Sequence, residues 1–168
     1  LRTQQNADGS FGSYGTENGD TGDADNTAAV IMAMRAAGVS ADDPAIQKAV
    51  SFLRNVIEEN GGYNYGYYSA PNLASTAWAV QAFCSVGIDP STVKSSAGNS
   101  PVDYLLSLQK EDGSFKYTET LTDTPVSMTA RAVTALLGCP YPILPGASGF
   151  GIEGGTASTV KPEKKKKK

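Results

Sequence analysis

The sequence predicts an all-α fold built from repeated αα-hairpins. A motif of the form Gln-x-x-x-Gly-x-aromatic occurs at residues 5–11 and 109–115, and a variant that starts with Ile occurs at 57–63. Because the interval is 52 residues both times, one supersecondary unit is copied along the chain. Each copy is followed by a segment rich in helix formers, and no stretch alternates with the period of two that strands require.

The first helix of each predicted unit is rich in Ala, Thr and Ser. Residues 26–37 end at Gly38, a residue typical of a position just past a helix, and either Asp25 or Asn26 is the expected N-cap. Residues 72–83 repeat the plan before Gly87, and residues 127–137 repeat it before Gly138. These helices are apolar nearly all round, which indicates packing on several sides.

The second helices are amphipathic. One starts near Pro44 and the other near Pro101, and Pro is favoured in a first helical turn. The helix after Pro44 is expected to continue to the 60–62 segment, with its apolar positions at a helical period: Ile46, Val50, Phe52, Leu53, Val56 and Ile57. Lys48, Arg54 and Asp103 are left for solvent. We therefore expect an inner layer of Ala-rich helices inside an outer amphipathic layer.

The repeat register also predicts the domain limits. Leu1 corresponds to Leu53 and Leu105 within the repeat, so we expect the first outer helix to be missing and the chain to be a fragment of a longer protein. Residues 1–143 form the predicted repeat domain. Residues 144–168 are predicted to be a flexible linker rich in Gly, Ser and Thr that ends in Lys, with binding to an anionic surface as the alternative.

Charge and composition exclude several functions. Residues 161–168 hold six of the 14 basic residues and one of the 17 acids, so the remainder carries a net charge of −8. An acidic body argues against nucleic acid as a partner. No apolar run is long enough for a transmembrane helix. Cys84 and Cys139 lie in apolar helical segments and are expected to be buried free thiols.

The motif carries a family resemblance. Residues 104–115 resemble the QW repeat of squalene–hopene and oxidosqualene cyclases, with Phe115 in place of Trp, and residues 48–63 fit the same template with Ile57 in place of Gln. The resemblance covers about residues 1–140 and includes bacterial cell-surface proteins with this repeat, which the chain resembles most. It implies part of an α/α toroid. The residues expected to be structural are Gln5, Gly9, Phe11, Gly61, Tyr63, Gln109, Gly113 and Phe115.

One acidic segment suggests chemistry. Residues 23–28 read Asp-Ala-Asp-Asn-Thr-Ala and resemble the Asp-x-Asp-Asp-Thr-Ala motif of squalene–hopene-type cyclases, in which the middle Asp protonates an alkene. The resemblance implies that Asp25 is a proton donor and Asp23 its neighbour. Asn26 departs from the family motif, and the chain has one Trp, few for a cavity that stabilises cations. The alternative is that these residues cap a helix.

Metal and cofactor chemistry is not expected. The chain has no His, which excludes the Asp, Cys and His zinc site of protein prenyltransferases, and no Ser-His or Cys-His pair can form. Glu17, Asp20, Asp23 and Asp25 could collect Ca²⁺, but their spacing favours a solvated loop. The sequence predicts no metal and no cofactor.

The sequence leaves two functions to weigh, and a purely structural role in spacing other domains also stays open. The preferred one is a non-catalytic module in a bacterial surface protein, extracellular or at the cell surface, that binds a small molecule, a sugar, a peptide or other domains of its chain. Its expected ligand-binding residues are Tyr65, Tyr67, Tyr68 and Trp78, because Tyr-rich loops flanked by Gly suit such recognition. The alternative is the C-terminal part of a terpene cyclase that uses Asp25.

Overall fold

The computed structural model describes residues 1–14, 21–66 and 69–143. Five α-helices follow one another in these residues: α1 (Ala24–Ala36), α2 (Pro44–Asn55), α3 (Leu73–Ser85), α4 (Pro101–Ser107) and α5 (Pro125–Leu136). The described part contains isolated bridges between residue pairs but no strand. The all-α prediction is confirmed.

The helices form two layers. α1, α3 and α5 pack side by side in an inner row, α2 packs on α1, and α4 packs on α3. One apolar cluster fills the space among α1, α2 and α3, and a second fills the space among α3, α4 and α5. α3, in the middle of the row, buries ten of its thirteen residues, which agrees with the expected all-round burial of an inner helix.

Helical spacing divides each inner helix into four stripes. On α1, Ala24, Ala28 and Ile31 form one stripe of the apolar cluster shared with α2 and α3, and Thr27 and Met34, both buried, lie on a second stripe. The stripe of residues 30, 33 and 37 points away from α3 along the row. The stripe of residues 25, 29, 32 and 36 lies opposite Thr27 and Met34. We call the surface that this last stripe forms with its equivalents on α3 and α5 the open face.

The ends of the inner helices are built alike. Gly38, Gly87 and Gly138 have φ of +82°, +79° and +66°. After each of them the next N–H bonds back to the last turn of the helix, as Val39 does to the Met34 oxygen at 3.0 Å. This is the Schellman arrangement, and the left-handed φ explains why Gly is used.

The start of α1 differs from the prediction. Asp23, rather than Asp25 or Asn26, is the N-cap, and its side chain accepts a hydrogen bond from the Asn26 backbone N–H at 2.7 Å. Asn72 takes the same role at the start of α3 and bonds the Ser75 N–H at 2.9 Å. The cap therefore lies two residues before Asp25 and three before Asn26, because Asp23 is the residue with extended backbone.

A threonine in each inner helix clamps the repeated motif. The N–H groups of Phe11, Tyr63 and Phe115 donate to Thr27, Thr76 and Thr129 at 3.0, 2.9 and 3.1 Å respectively. Their aromatic rings are buried, which supports a structural role for these three residues. The threonines were missed, although their constant place in the repeat was a signal for them.

The Gln and Gly positions of the motif also act in packing. Gln5 donates from Nε2 to the Gly9 oxygen at 2.9 Å and to the Ala45 oxygen in α2 at 2.8 Å, as expected for a clasp on a neighbouring helix end. Gln109 makes the local bond to Gly113, at 3.5 Å. Gly9 and Gly61 have positive φ, and a Cβ at either would lie 2.4 Å from the backbone oxygen of Lys48 or Ser100.

Three further details differ from expectation. α2 ends at Asn55, before the expected segment at 60–62, and the chain then turns back to place Tyr63. α5 starts at Pro125 rather than at residue 127. Both thiols are free, but only Cys84 is buried; Cys139 follows the end of α5 and is half-buried.

Candidate functional site

Asp23 is fully engaged at the start of α1. Its Oδ1 accepts from the Asn26 backbone N–H and its Oδ2 from the Asn26 side-chain amide, both at 2.7 Å. The Asn26 amide also donates to the Ser13 hydroxyl at 3.0 Å. These bonds explain Asn26, which departs from the cyclase motif: its amide supplies a donor to Asp23. Asp23 therefore stabilises the helix start.

Asp25, two residues later, is in a different environment. Its Oδ1 is buried and has no hydrogen-bond partner among the described residues. Burial raises the pKa of Asp25; interaction with the Ser75 side chain lowers it, the charge of Asp23 raises it, and Arg131 lowers it. The net effect is a pKa above the ordinary value, because the buried site disfavours the charged form.

The repeats show that the fold does not need this carboxyl. Thr27, Thr76 and Thr129 mark equivalent positions, and two residues before each stand Asp25, Ala74 and Ser127. Ala74 and Ser127 occupy the open-face position without a charge. Since buried polar groups without partners are rare in native proteins, Asp25 is a candidate for function rather than for packing.

Ser75, Arg131 and Tyr117 lie within electrostatic range of Asp25. Ser75 reaches it from the first turn of α3, and Arg131 on α5 acts on it electrostatically. Burial and the charges of Tyr65, Asp25 and Asp123 raise the pKa of Tyr117, so Tyr65 and Asp25 each lie within electrostatic range of Tyr117. The Tyr117 backbone oxygen accepts from the Leu73 N–H at 2.8 Å, which fixes the loop at the start of α3.

Of the expected ligand-binding residues, Tyr65 lies within electrostatic range of Tyr117. Its side chain is 57% exposed, so it is accessible at the edge of the site. Tyr67 and Tyr68 lie outside the described residues.

Trp78 lies one helical turn below Ala74 on the open face and is covered in part. Its ring centroid is 5.4 Å from that of Tyr141, with the ring planes at 38°. The segment of Tyr141 is held to the open face by two bonds, from Gln81 Nε2 to the Cys139 oxygen at 2.6 Å and from the Tyr141 N–H to the Met32 sulfur at 3.4 Å. Trp78 therefore offers a ligand only the part of its ring that Tyr141 leaves free.

Other sites are not evident in the part of the chain that the structure describes. Two shallow surface depressions, of about 310 and 500 Å³, lie beside Arg2 and Lys48 and beside Lys110 and Lys116, not at Asp25. Residues 1–14, 21–66 and 69–143 hold no group of three or more acids or cysteines placed to bind a metal ion. None of their helices is long and apolar enough to span a membrane.

Comparison with known proteins agrees with this architecture. The prenyltransferase αα-toroid domain family matches residues 29–152, more than half of the chain. The chain belongs to this family. The matched region contains most of α1 and all of α2 to α5, so the inner and outer helices are those of toroid repeats. Asp23 and Asp25 lie just before the matched region.

Two curated relatives of this toroid chain are bacterial cyclases. The squalene–hopene cyclase of Bradyrhizobium diazoefficiens is 35% identical over 98 residues, which is 52% of the chain and 14% of that protein. The probable squalene–hopene cyclase of Sinorhizobium fredii is 33% identical over 125 residues, 67% of the chain and 18% of that protein. The chain thus spans less than a fifth of the length of these relatives.

Sequence reasoning singled out Asp25 and Tyr65 as candidates but not Ser75, Tyr117 and Arg131. Arg131 had a signal, because it is a charged residue inside an Ala-rich inner helix on the open-face position that Trp78 takes in α3. No sequence signal marked Ser75 or Tyr117. Ser75 lies in the first turn of α3 and Tyr117 contacts the start of that helix, and only the folded row of helices brings that helix start near the start of α1.

Proposed function

We propose that the open face of this toroid domain binds a small neutral amphiphile without transforming it. The observation that carries the proposal is the buried Oδ1 of Asp25, which has no partner among the described residues although the fold does not need it. A ligand hydroxyl at this oxygen would supply the missing hydrogen bond. Tyr117, within electrostatic range of Asp25, and Tyr65, within range of Tyr117, would contact the apolar body of the ligand.

The charges around Asp25 support binding over cation chemistry. Arg131 lies within electrostatic range of the carboxyl group. A fixed guanidinium raises the energy of a carbocation formed beside it, whereas it tolerates a neutral ligand. The exposed ring of Tyr65 also leaves the site open to water, which a cyclisation cavity has to exclude.

A binding experiment with matched variants tests this proposal. Geraniol, maltose and diglycine serve as amphiphile, sugar and peptide probes in ligand-observed NMR. We expect binding of geraniol, a loss of about tenfold in affinity in Tyr65→Ala, and near-normal affinity in Asp25→Asn, whose side-chain oxygen can accept the same hydrogen bond. Leu106→Ala, an equally exposed change on α4, is the control. Affinity unchanged in Tyr65→Ala would argue against this site.

A second candidate function is protonation of an alkene by Asp25 in a longer cyclase. Three observations favour it: the Asp-Ala-Asp-Asn-Thr-Ala segment, the raised pKa of Asp25, and relatives named as squalene–hopene cyclases. A neutral carboxylic acid out of contact with water is the form that a general acid requires. The aromatic walls that would stabilise the cations would then come from other parts of the protein.

The two functions respond oppositely to one variant. Asp25→Asn keeps the shape and the hydrogen bonds of a neutral acid but cannot give up a proton. If the whole protein is a cyclase, this variant abolishes formation of cyclic product from squalene, which gas chromatography of the extracted lipids measures. If the domain only binds, the wild type makes no cyclic product and ligand affinity survives the change.

The proposed compartment is the outside of the cell. It rests on the resemblance to bacterial surface proteins and on the Gly, Ser and Thr-rich segment after residue 143. Labelling of intact producing cells with a membrane-impermeant amine reagent, followed by recovery of labelled chain, tests it. Label found only after lysis would contradict it.

A further inference from the structure

The chain that follows α5 takes a different path from the chain that follows α1 or α3. After Gly38 the chain enters the outer layer, where α2 packs on α1, and after Gly87 it enters the same layer, where α4 packs on α3. After Gly138 the chain instead contacts the open face through residues 139–141. We call residues 139–141 the strap.

The strap crosses the middle helix of the inner row. The Cys139 oxygen accepts a hydrogen bond from the Gln81 side chain on α3, and the Tyr141 N–H donates to the Met32 sulfur on α1. Between these two bonds the Tyr141 ring contacts the ring of Trp78 on α3. The strap therefore runs from the end of α5 over α3 to α1.

Burial on the open face follows the path of the strap. Met32 and Gln81, which bond the strap, are each only 2% exposed. The other open-face residues of α1 and α3 are half-buried or exposed: Asp25, Ala29, Ala36, Ala74, Trp78 and Ser85. The strap thus covers one part of the open face, and Trp78 lies at its edge.

The covered part adjoins the site at Asp25. Trp78 follows Ala74, the α3 equivalent of Asp25, by one turn, which is about 5 Å along the helix axis. A ligand whose hydroxyl bonds Asp25 would therefore have its apolar body within reach of the Trp78 ring. Since the Tyr141 ring already packs on Trp78, the strap and such a ligand compete for the same indole surface.

Few contacts hold the strap down. Among the described residues, two hydrogen bonds and one ring contact join it to α1 and α3, and one of these bonds goes to a thioether sulfur, which is a weak acceptor. Tyr141 is 40% exposed. A segment with so few buried contacts belongs to the part of a protein that opens locally at low cost in free energy.

We propose that the strap is a built-in competitor of the ligand, which shields Trp78 and has to leave the open face before the ligand can pack on the indole. This inference rests on the proposed function, because it concerns regulation of the same site. If the strap is open in about a tenth of the molecules, it lowers the apparent affinity of the site about tenfold.

Trp78 reports on the strap without any ligand, because it is the one Trp of the chain. Its fluorescence in the full chain is compared between the wild type, Tyr141→Ala and Tyr141→Phe. We expect Tyr141→Ala to shift the emission to longer wavelength and to increase quenching by acrylamide. Tyr141→Phe keeps the ring contact and should behave like the wild type. Circular dichroism checks that all three fold alike.

The affinity for geraniol, measured by ligand-observed NMR on the same three proteins, tests the competition. We expect Tyr141→Ala to bind geraniol about tenfold more tightly than the wild type and Tyr141→Phe to bind it equally. Lower affinity in Tyr141→Ala would mean that Tyr141 is part of the binding surface, and it would overturn the proposal.

Two further outcomes separate the strap from the proposed function. Equal affinity of the wild type and Tyr141→Ala, or equal quenching of Trp78 in both, would overturn the strap while geraniol binding by the domain still stands. If neither protein binds geraniol, the proposed function fails, and the role of the strap as a competitor fails with it.

Discussion

Single residues decide whether the start of α1 is a helix cap or a site. Asp23 and Asp25 are two positions apart, yet Asp23 accepts two hydrogen bonds from Asn26 while the Oδ1 of Asp25 has no partner among the described residues. The sequence alone could not distinguish these roles, because both residues fit a cap. The distinction arises from the register of the helix, which directs Asp25 onto the open face.

The raised pKa of Asp25 predicts how stability depends on pH. The folded chain holds this proton more tightly than the unfolded chain, so the stability that Asp25 contributes falls as pH rises above about 3.8 and through the folded-state pKa. Asp25→Asn removes this penalty. We expect its Tm to exceed that of the wild type by about 2–4 °C at pH 7 and to equal it below pH 3.8 in calorimetry.

Asp23→Asn is the matched control for that series. Asn72 caps α3 in the equivalent position, so Asn at position 23 should keep the cap and change Tm little. A lower Tm at pH 7 in Asp25→Asn would mean that the Asp25 carboxylate is stabilised in the folded state, contrary to its assigned environment.

The threonine clamp gives a second prediction. Thr76 is fully buried, accepts from the Tyr63 N–H at 2.9 Å and donates to the Asn72 oxygen at 2.8 Å. Thr76→Val leaves a buried N–H without its acceptor, and we expect a loss of about 1–3 kcal/mol in the free energy of unfolding. Thr129→Val, at the half-exposed equivalent where water can replace the hydroxyl, should cost clearly less. Equal losses in urea titrations would refute the clamp.

At the scale of helices, the sequence predicted the features that recur in every repeat. The five helices, their two layers and the Gly residues after the inner helices followed from spacing and helix-end chemistry. The residues at which individual helices end were not predicted. α2 stops at Asn55 because the chain then has to turn back, so that the Tyr63 hydroxyl can donate to the Leu53 oxygen at 2.9 Å. That contact depends on the folded hairpin, which periodicity does not encode.

The motif glycines should differ in their tolerance of a side chain. Gly61→Ala combines a φ of +87° with a Cβ 2.4 Å from the Ser100 oxygen, so we expect a loss of about 2 kcal/mol or more. Gly113 has a φ of +82° but no neighbouring atom within 4 Å, so Gly113→Ala should cost only the left-handed strain of about 1 kcal/mol. Urea unfolding of both variants measures the difference. Equal costs would show that close approach to Ser100 does not matter.

At the scale of the whole molecule, family and layer order were predictable but the composition of the site was only partly so. Asp25 stood out because it matched a motif, and Tyr65 because it lies in a Tyr-rich loop. Arg131 is more than 100 positions away from Asp25 and acts on it only because α1, α3 and α5 stand in one row. Such proximity is a property of packing between repeats.

Asp25 is a half-buried acid with a buried Oδ1 on the open face rather than a helix cap. Carboxyl-resolved NMR titration of the full chain measures its pKa directly, with Asp112 as an internal reference. The Ser114 hydroxyl and N–H, together with Lys110, hold the pKa of Asp112 at about 2. We expect Asp25 to titrate clearly above 3.8 while Asp112 titrates below it. A pKa for Asp25 at or below 3.8 would contradict the account, because it would mean that the carboxylate is solvated or capped.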